Sequence, residues 1–331
     1  MVIARVQESS TIEEIYMQSQ PWFIQEKDLP SLLRSTVSVD QGILGSRGNI
    51  EKVILQGSVY FKKEIVTAAG RVAALGARPS LITAMQGMSS RFSREDADVC
   101  ANRGVLHVIG SRMLDLNYGS ILLEQGGCLF TLEPEVRSTD QDPLRKRSCH
   151  DLLTDASFKK IILVAILFND GDVANILGGN SVELSSGIRL IDFEPKKIWD
   201  GSNLCGIGDS FYETVFNMFA SIVRAKALQQ NENIAIDITH FTQTQCVGLI
   251  DDMINDLRLI CTEFKKTNGS QCSRCCCAMF RSVSLKDEIL KAISGQLKHT
   301  LHVVNSLKRE LDREITENLT QREKLQIPFL V

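Results

Sequence analysis

The apolar residues of this 331-residue chain change their spacing along its length, from a strand pattern to a helix pattern. Up to about residue 150, short runs rich in β-branched and aromatic residues, such as KVILQGSVYFKK at 52–63, alternate with turns. From residue 208 onward, apolar residues recur every three or four positions, as in amphipathic helices. Strands and helices that follow one another in blocks predict an α+β fold.

Three helices are expected in the second block, over residues 209–228, 247–266 and 284–321. In the last of these the apolar stripe consists of Leu290, Ile293, Leu297, Leu301, Val304, Leu307, Leu311 and Ile315. Such a stripe is explained either by packing on the rest of the domain or by self-association through a coiled coil. Both interpretations remain open at this point.

The stretch EPEVRSTDQDPLRKRS, residues 133–148, is polar and charged and contains two prolines, which favours a linker or mobile loop. We therefore predict an N-terminal mixed α/β lobe over 1–132, a linker over 133–150 and a mostly helical lobe over 151–331. The second lobe opens with a capping candidate, Thr154 or Asp155, and the apolar run 161–168 that follows fits a buried helix or a buried strand. The length of the run together with the preceding turn favours a helix.

Composition and charge exclude several classes of protein. The formal net charge of −3 lacks the basic excess of a nucleic-acid binder. No apolar stretch reaches the ~20 residues that span a bilayer, and the first residues, MVIARVQESSTIEE, lack the apolar core of a signal peptide. We therefore expect a soluble, cytoplasmic chain with reduced cysteines. Cys272 and Cys275 have CxxC spacing but lack a second pair, so buried thiols are the default for the cluster at 272–277, with lipidated or redox-active cysteines and a zinc site as the alternatives.

The segment LFNDGDVANILGGN, residues 167–180, followed by SVELSSGIRLIDFEP, is the part with readable chemistry. Asp170, Asp172 and Asn175 lie in one tight turn, and a hairpin-like sequence returns the chain to Asp192. Oxygen ligands gathered in this way suit Mg²⁺, and phosphoryl transfer depends on Mg²⁺ and on positioning. An ordinary Asn/Asp/Gly turn between a helix and a strand gives the same letters, and remains the alternative.

Asp170 precedes Asn175 by five residues, the spacing of the D-x-x-x-x-N catalytic loop, and Asp192 lies in I-D-F where kinases have D-F-G. On these residues the chain resembles the atypical kinase-fold enzymes: phosphoinositide kinases, aminoglycoside-type kinases and the divergent kinases that Legionella-type bacteria secrete as effectors. The resemblance implies that Asp170 is the catalytic aspartate, that Asn175 and Asp192 bind Mg²⁺, and that Asp172 is able to replace Asp170.

The order of the upstream parts is also similar to this family. Lys62, at the end of a strand, is the preferred phosphate-pairing lysine, with Lys63 its neighbour on the opposite face. Gly45 and Gly48 belong to a turn that resembles a phosphate-covering loop. The stretch EIVTAAGRVAALG, residues 64–76, is rich in alanine and ends at Gly76, which predicts a helix. The family order then implies an interlobe hinge at VIGSRMLD, residues 108–115, although VLHVIGSRML, residues 105–114, is also a strand candidate.

The resemblance implies a two-lobed kinase-like fold with an added helical C-terminal region. It implies transfer of the γ-phosphate of ATP, with Mg²⁺, to a hydroxyl of a protein, lipid or small molecule, with a host protein or lipid among the acceptors. The alternative is a catalytically degenerate pseudokinase or a helical interaction protein. The acidic C-terminal helix with its short apolar tip is similar to the tails of secreted effectors, which implies delivery into a host cell by a non-Sec route.

Overall fold

A computed structural model describes residues 21–31, 33–38, 50–55, 58–65, 89–116, 119–126, 128–135, 147–170, 173, 176–177, 181–184, 187–191, 193–201, 210–268 and 285–325. Within these residues the chain has mixed α and β content, as predicted. The strands are β1 (Phe23–Gln25), β2 (Leu33–Ser38), β3 (Ile50–Leu55), β4 (Ser58–Glu64), β5 (Ile121–Gln125), β6 (Cys128–Pro134), β7 (Ser181–Leu184) and β8 (Gly187–Leu190). The helices are α1 (Ser89–Leu114), α2 (Cys149–Thr154), α3 (Ala156–Leu167), α4 (Phe211–Gln229), α5 (Gln243–Asn268) and α6 (Leu285–Leu325).

The chain divides into two units by internal packing. The first comprises residues 1–136 and 260–296, and the second comprises residues 137–259 and 297–331. The division between 136 and 137 lies within the stretch 133–150, of which residues 136–146 are outside the described part of the chain. The return of residues 260–296 to the first unit has no counterpart in the consecutive lobes expected from the sequence.

The first unit contains a six-stranded sheet with the order β1-β5-β6-β4-β3-β2. All neighbouring strands are antiparallel except β1 and β5, which are parallel. The predicted run at 52–63 is confirmed as two strands, β3 and β4, which pair with Ile54 opposite Val59. Alternation of side chains between faces places one apolar cluster on one face of the sheet, namely Ile24, Val53, Leu55, Tyr60, Ile121, Leu123 and Leu132.

Helix α1 packs on the opposite face of this sheet. A Cβ atom added to Gly104 of α1 would lie 2.7 Å from side-chain atoms of both Leu122 and Ile65, so the helix backbone approaches β5 closely at this glycine. In the register of the sheet, Leu122 is opposite Thr131, and Thr131 is opposite Lys63. Because opposed residues share a face, Lys63 lies on the side that α1 covers.

The expectation for residues 105–115 is wrong in both its forms. Residues 105–114 are neither a strand nor an interlobe hinge but belong to the second half of α1, in which Val105, Leu106, Val108 and Ile109 are at most 1% exposed, and Asp115 directly follows the helix. Four apolar residues within five positions are compatible with a buried helix and with a buried strand, so the local pattern did not decide between the two. Of the helix expected over 64–76, Glu64 belongs to β4 and residues 66–76 lie outside the described residues.

The helical second half is confirmed, with α4, α5 and α6 in the expected positions. In the second unit, Lys308 Nζ of α6 is 3.1 Å from Asp251 Oδ1 of α5, and Gln243 Nε2 donates to Glu314 Oε2 at 3.3 Å. Both contacts join an early residue of α5 to a late residue of α6, so these portions are antiparallel. Most of the stripe of α6, including Ile293, is buried within the single chain, as the packing interpretation expects.

None of the helices in the described ranges is both long enough and apolar enough to cross a membrane.

Candidate active site

Helix α3 carries the first part of the candidate site. Its N-cap is Asp155, one of the two expected capping residues, whose Oδ1 accepts a hydrogen bond of 2.9 Å from the N–H of Phe158. Every residue from 161 to 167 is buried. This C-terminal half of α3 is apolar all round and is held inside its domain, so the helix end is a rigid base for the residues that follow.

The turn after α3 is a Schellman motif built on Asn169. Asn169 has a φ of 51°, in the left-handed region that asparagine tolerates better than most residues. Its N–H donates to the carbonyl of Ile166 at 3.0 Å, and the N–H of Asp170 donates to the carbonyl of Ala165 at 2.8 Å. These two bonds reverse the chain within two residues and direct it back along the helix end.

Asp170 is thereby placed inside the second unit, with 1% of its surface exposed. The residue at this position of a Schellman motif frequently makes an apolar contact with the helix, and aspartate is seldom buried to this degree unless it is paired. An ordinary surface turn would leave its aspartate in water. The burial of Asp170 therefore favours a specific role for this carboxylate over the ordinary-turn alternative.

The segment that follows Asp192 completes the C-terminal end of α3. The N–H of Trp199 donates to the carbonyl of Leu167 at 2.7 Å, and the N–H of Lys196 donates to the carbonyl of Phe168 at 3.0 Å. Together with the Schellman bonds, these contacts satisfy the four consecutive carbonyls from 165 to 168, which a helix end otherwise leaves to solvent. The segment 193–201 is thus docked beside the turn that carries Asp170.

Aromatic contacts reinforce this docking on both sides. The rings of Phe168 and Phe193 are 5.7 Å apart in an edge-to-face arrangement, and those of Trp199 and Phe211 are 5.2 Å apart in a similar one. Phe168 precedes Asp170 by two residues and Phe193 follows Asp192 by one. The two segments that the sequence analysis linked to catalysis and metal binding are therefore in contact through the neighbours of their acids.

The rest of the catalytic turn is described only in part. Val173 and Ile176 are fully buried and anchor the turn between Asp170 and the hairpin of β7 and β8, in which Ile188 and Leu190 are buried. Asp172, Asn175 and Asp192 lie outside the described residues, as do Gly45 and Gly48 in the connection between β2 and β3. The roles expected for these five residues remain predictions.

The two lysines of β4 have different surroundings in the first unit. Lys62 Nζ lies 3.0 Å from Glu51 Oε2, donates to Gln125 Oε1 at 2.7 Å and is 4.2 Å from the ring centroid of Phe130. These contacts hold its ammonium on the face of the apolar cluster. Lys63 lies on the other face, the one that α1 covers.

Arg112 fixes the C-terminal end of α1 within the first unit. Its guanidinium stacks on Trp22, with Cζ 3.9 Å from the ring centroid, and donates to the carbonyls of Ser120 at 2.5 Å and Val108 at 3.3 Å. Burial lowers the pKa of Arg112 to about 9, and the charge of Glu263 opposes that shift. These contacts join the C-terminal end of α1 to the residues that precede β1 and β5.

A polar cluster at the N-terminal half of α3 binds the backbone of residues 240 and 241. Lys159 Nζ donates to the carbonyl of His240 at 2.7 Å, and Tyr212 Oη donates to the carbonyl of Phe241 at 2.7 Å. Burial lowers the pKa of Lys159, an effect that Asp155 partly offsets, and burial raises the pKa of Tyr212 to about 12. Both side chains bond to backbone carbonyls, so we interpret the cluster as structural.

The described residues contain no group of three His, Cys, Asp or Glu side chains arranged to hold a metal ion. The expected Mg²⁺ ligands, Asn175 and Asp192, lie outside that part of the chain. Their carboxylate and amide oxygens are the donors that Mg²⁺ prefers. The donor chemistry therefore fits magnesium.

No sequence motif marks Trp199 as a residue of the site. Trp199 follows Asp192 by seven residues and belongs to no periodic pattern. It contacts α4, which begins 12 residues after it, and α3, which ends 32 residues before it. The aromatic residue directly after Asp192 was the only local signal that this segment packs against another part of the chain.

Comparison of the chain with protein-family models, with curated proteins and with solved structures gave no match.

Proposed function

We propose that the chain is a Mg²⁺- and ATP-dependent phosphotransferase with a two-lobed kinase-like fold and an added helical C-terminal region. The observation that carries the proposal is the buried Asp170, placed by a Schellman motif at the end of a buried helix, with the segment after Asp192 docked on that same helix end. A catalytic aspartate followed by a metal-binding one, on adjoining segments, is the arrangement that protein kinases use for phosphoryl transfer.

The order of elements supports the proposal. Three antiparallel strands, β2, β3 and β4, are followed by the long helix α1, by the antiparallel pair β5 and β6, and then by α3 with its turn and hairpin. The glycines at 45 and 48 fall between β2 and β3, and the lysine pair lies on β4, which is the third strand when the count starts at β2 and leaves out the short β1. In protein kinases a glycine-rich loop covers the phosphates and the lysine that binds them is on the third strand.

Within this proposal we assign the phosphate-pairing role to Lys63. In kinases that lysine forms an ion pair with an acid of the helix packed on the sheet, so it must lie on the helix face. Lys63 shares its face with Leu122, which Gly104 of α1 approaches, whereas Lys62 is held on the opposite face by Glu51 and Gln125. This assignment reverses the preference that the sequence suggested.

The reaction follows from these roles. The oxygen of the acceptor hydroxyl forms a bond to the γ-phosphorus while the bond to the bridging β,γ-oxygen breaks and ADP leaves. Asp170 orients the hydroxyl and takes its proton, and Lys63 offsets charge on the phosphates. Mg²⁺, held through Asn175 and Asp192, supplies further neutralisation of the phosphate charge when it is bound.

Nucleotide binding is the first test. Thermal unfolding would be measured with and without Mg·ATP, since a ligand at 100 times its dissociation constant stabilises a protein by about 2.7 kcal/mol. Stabilisation that requires both Mg²⁺ and ATP is expected. No shift at millimolar Mg·ATP would refute the proposal and favour a degenerate kinase or a helical interaction protein.

A pair of variants tests the catalytic assignment. Mg²⁺-dependent release of ADP, in which water replaces the acceptor, provides a rate without knowledge of the substrate. Asp170→Asn should reduce this rate by at least ~10²-fold at nearly unchanged stability, because the missing carboxylate acts at the reacting oxygen. Asp172→Asn is the matched control and should cost less. Equal losses would remove the spacing argument, and a larger loss at Asp172 would transfer the role to that residue.

A further inference from the structure

We propose that Trp199 is a positioning residue for Asp170, and that the segment 193–201 is a preformed brace for the catalytic turn. This inference rests on the proposed function. It concerns how the turn is held before any ligand binds, and it depends on contacts of described residues alone.

The first step is the hydrogen bonding at the end of α3. The Schellman bonds from Asn169 and Asp170 satisfy the carbonyls of Ile166 and Ala165, and those of Leu167 and Phe168 are satisfied from the distant positions 199 and 196. Two donors that lie 28 or more residues away in sequence thus complete the same helix end. A shift of the segment 193–201 would leave two carbonyls without these donors, directly beside the left-handed Asn169.

The second step is the anchoring of the segment itself. A backbone N–H is present at almost every residue and does not by itself select a docking position. Trp199 supplies that selection, because the residue is 9% exposed and its ring packs edge-to-face against Phe211, the first residue of α4. The Trp199 side chain is held by α4 while its N–H bonds to α3, so one residue connects both helices to the segment.

The third step is the consequence for Asp170. A catalytic group must be held within a fraction of an ångström of its working position, and a displacement of about 1 Å costs on the order of 10²-fold in rate. Asp170 lies two residues beyond Phe168, whose carbonyl and ring both contact the segment. Loss of the brace should therefore displace Asp170 without removing any group that touches the substrate.

The test is a double-mutant cycle between Trp199 and Asp170, read by the Mg²⁺-dependent release of ADP. Trp199→Ala should reduce kcat by ~10 to 10²-fold with little change in the KM for ATP, and Trp199→Phe, which keeps an aromatic edge, should recover most of it. In the Asp170→Asn background, Trp199→Ala should cost less than about twofold, because the carboxylate that it positions is already absent. Losses that multiply in the double variant would overturn the proposal.

A second measurement does not depend on activity. Hydrogen exchange at the amides of positions 196 and 199 should be slow in the wild-type chain and at least ~10-fold faster in Trp199→Ala. Unprotected amides in the wild type would overturn the brace itself. Phe211→Leu, which removes the aromatic partner of Trp199 but keeps an apolar side chain, should give the same acceleration if Trp199→Ala does not fold.

Trp22→Phe is the control for the loss of a buried indole, because Trp22 also packs edge-on against a phenylalanine, Phe264, at 5.0 Å. It should leave the exchange at positions 196 and 199 unchanged, and acceleration there would contradict a local brace.

Failure of the proposed function can be told apart from failure of the brace. A wild-type chain with protected amides but no Mg²⁺-dependent ADP release would refute the proposed function and the positioning role with it. Active wild-type protein with an unaffected Trp199→Ala variant would refute the positioning role alone.

Discussion

Asn169 and Asn231 occupy the same position in two helix endings of this chain. Each follows the C-cap of its helix with a left-handed φ, 51° for Asn169 and 55° for Asn231. At the end of α4 the N–H of Asn231 donates to Leu228 and that of Glu232 to Ala227, which repeats the bonds that Asn169 and Asp170 make at the end of α3. The same turn geometry therefore occurs at the ends of α3 and α4, and only the turn after α3 leads into the candidate active site.

This relationship gives a matched prediction. Asn169→Ala and Asn231→Ala should each reduce the free energy of unfolding by about 1 kcal/mol, because alanine is disfavoured in the left-handed region. Only Asn169→Ala should also slow Mg²⁺-dependent ADP release, because it disturbs the turn that holds Asp170. Urea unfolding measures the first effect and steady-state kinetics the second. Equal activity in the two variants would contradict the role of the Asn169 turn in holding Asp170 for catalysis.

The second prediction concerns the two lysines of β4. Lys63→Met should reduce kcat/KM for ATP on the order of 10²-fold, as the loss of a group that stabilises phosphate charge does. Lys62→Met should leave kcat/KM nearly unchanged and affect mainly stability, because the contacts of Lys62 are to Glu51, Gln125 and Phe130. A greater kinetic loss at Lys62 would restore the preference suggested by the sequence.

The third prediction concerns the expected metal acid. Asp192→Ala should abolish Mg²⁺-dependent ADP release while the melting temperature without ligand changes little, because one of few metal ligands is lost. Asp200→Ala is the control from the same segment: Asp200 is exposed and accepts a hydrogen bond of 2.7 Å from Lys197 Nζ. Its removal should leave the rate intact. Full activity in Asp192→Ala would exclude its metal role.

The fourth prediction tests the packing of α1 on the sheet. Gly104→Ala should destabilise the protein by about 1 to 3 kcal/mol, because the added Cβ would lie 2.7 Å from Leu122 and Ile65. Gly248→Ala, within α5, meets nothing within 4 Å and should stabilise by about 0.5 to 1 kcal/mol through helix propensity alone. Chemical denaturation of both variants measures the difference. Stabilisation by Gly104→Ala would contradict the close approach of helix and sheet.

The fifth prediction is a dependence of stability on alkaline pH. Burial raises the pKa of the Cys246 thiol from 9.0 to about 12. Between those values the unfolded chain has lost the thiol proton and the folded chain has kept it, so stability falls as pH rises, by up to about 1.4 kcal/mol per pH unit. Unfolding of the wild type and of Cys246→Ala between pH 8 and 11 should show a shallower fall in the variant. Cys128→Ala, at an exposed thiol, should follow the wild type.

The sequence by itself determined the elements that depend on residues close to one another in the chain. The β-branched run at 52–63, the capping aspartate at 155 and the 3.6-residue periodicity after residue 208 each specify a strand or a helix through neighbours a few positions away, and all were found where expected. The same is true of the turn at 169–170, which an asparagine followed by an acid favours. The predicted positions of the catalytic aspartate and of the lysine pair rest on such short-range patterns.

Tertiary structure decided what depends on distant partners. Residues 105–114 are helix because α1 packs on β5 and β6, not because their own pattern excludes a strand. Which lysine faces α1 follows from the register of β4, β6 and β5, since a shift of one residue would exchange the two faces. Asp170 is buried and Trp199 completes α3 because segments far apart in sequence meet at one helix end. Contacts of this kind leave no periodic trace along the chain, so only the folded structure shows them.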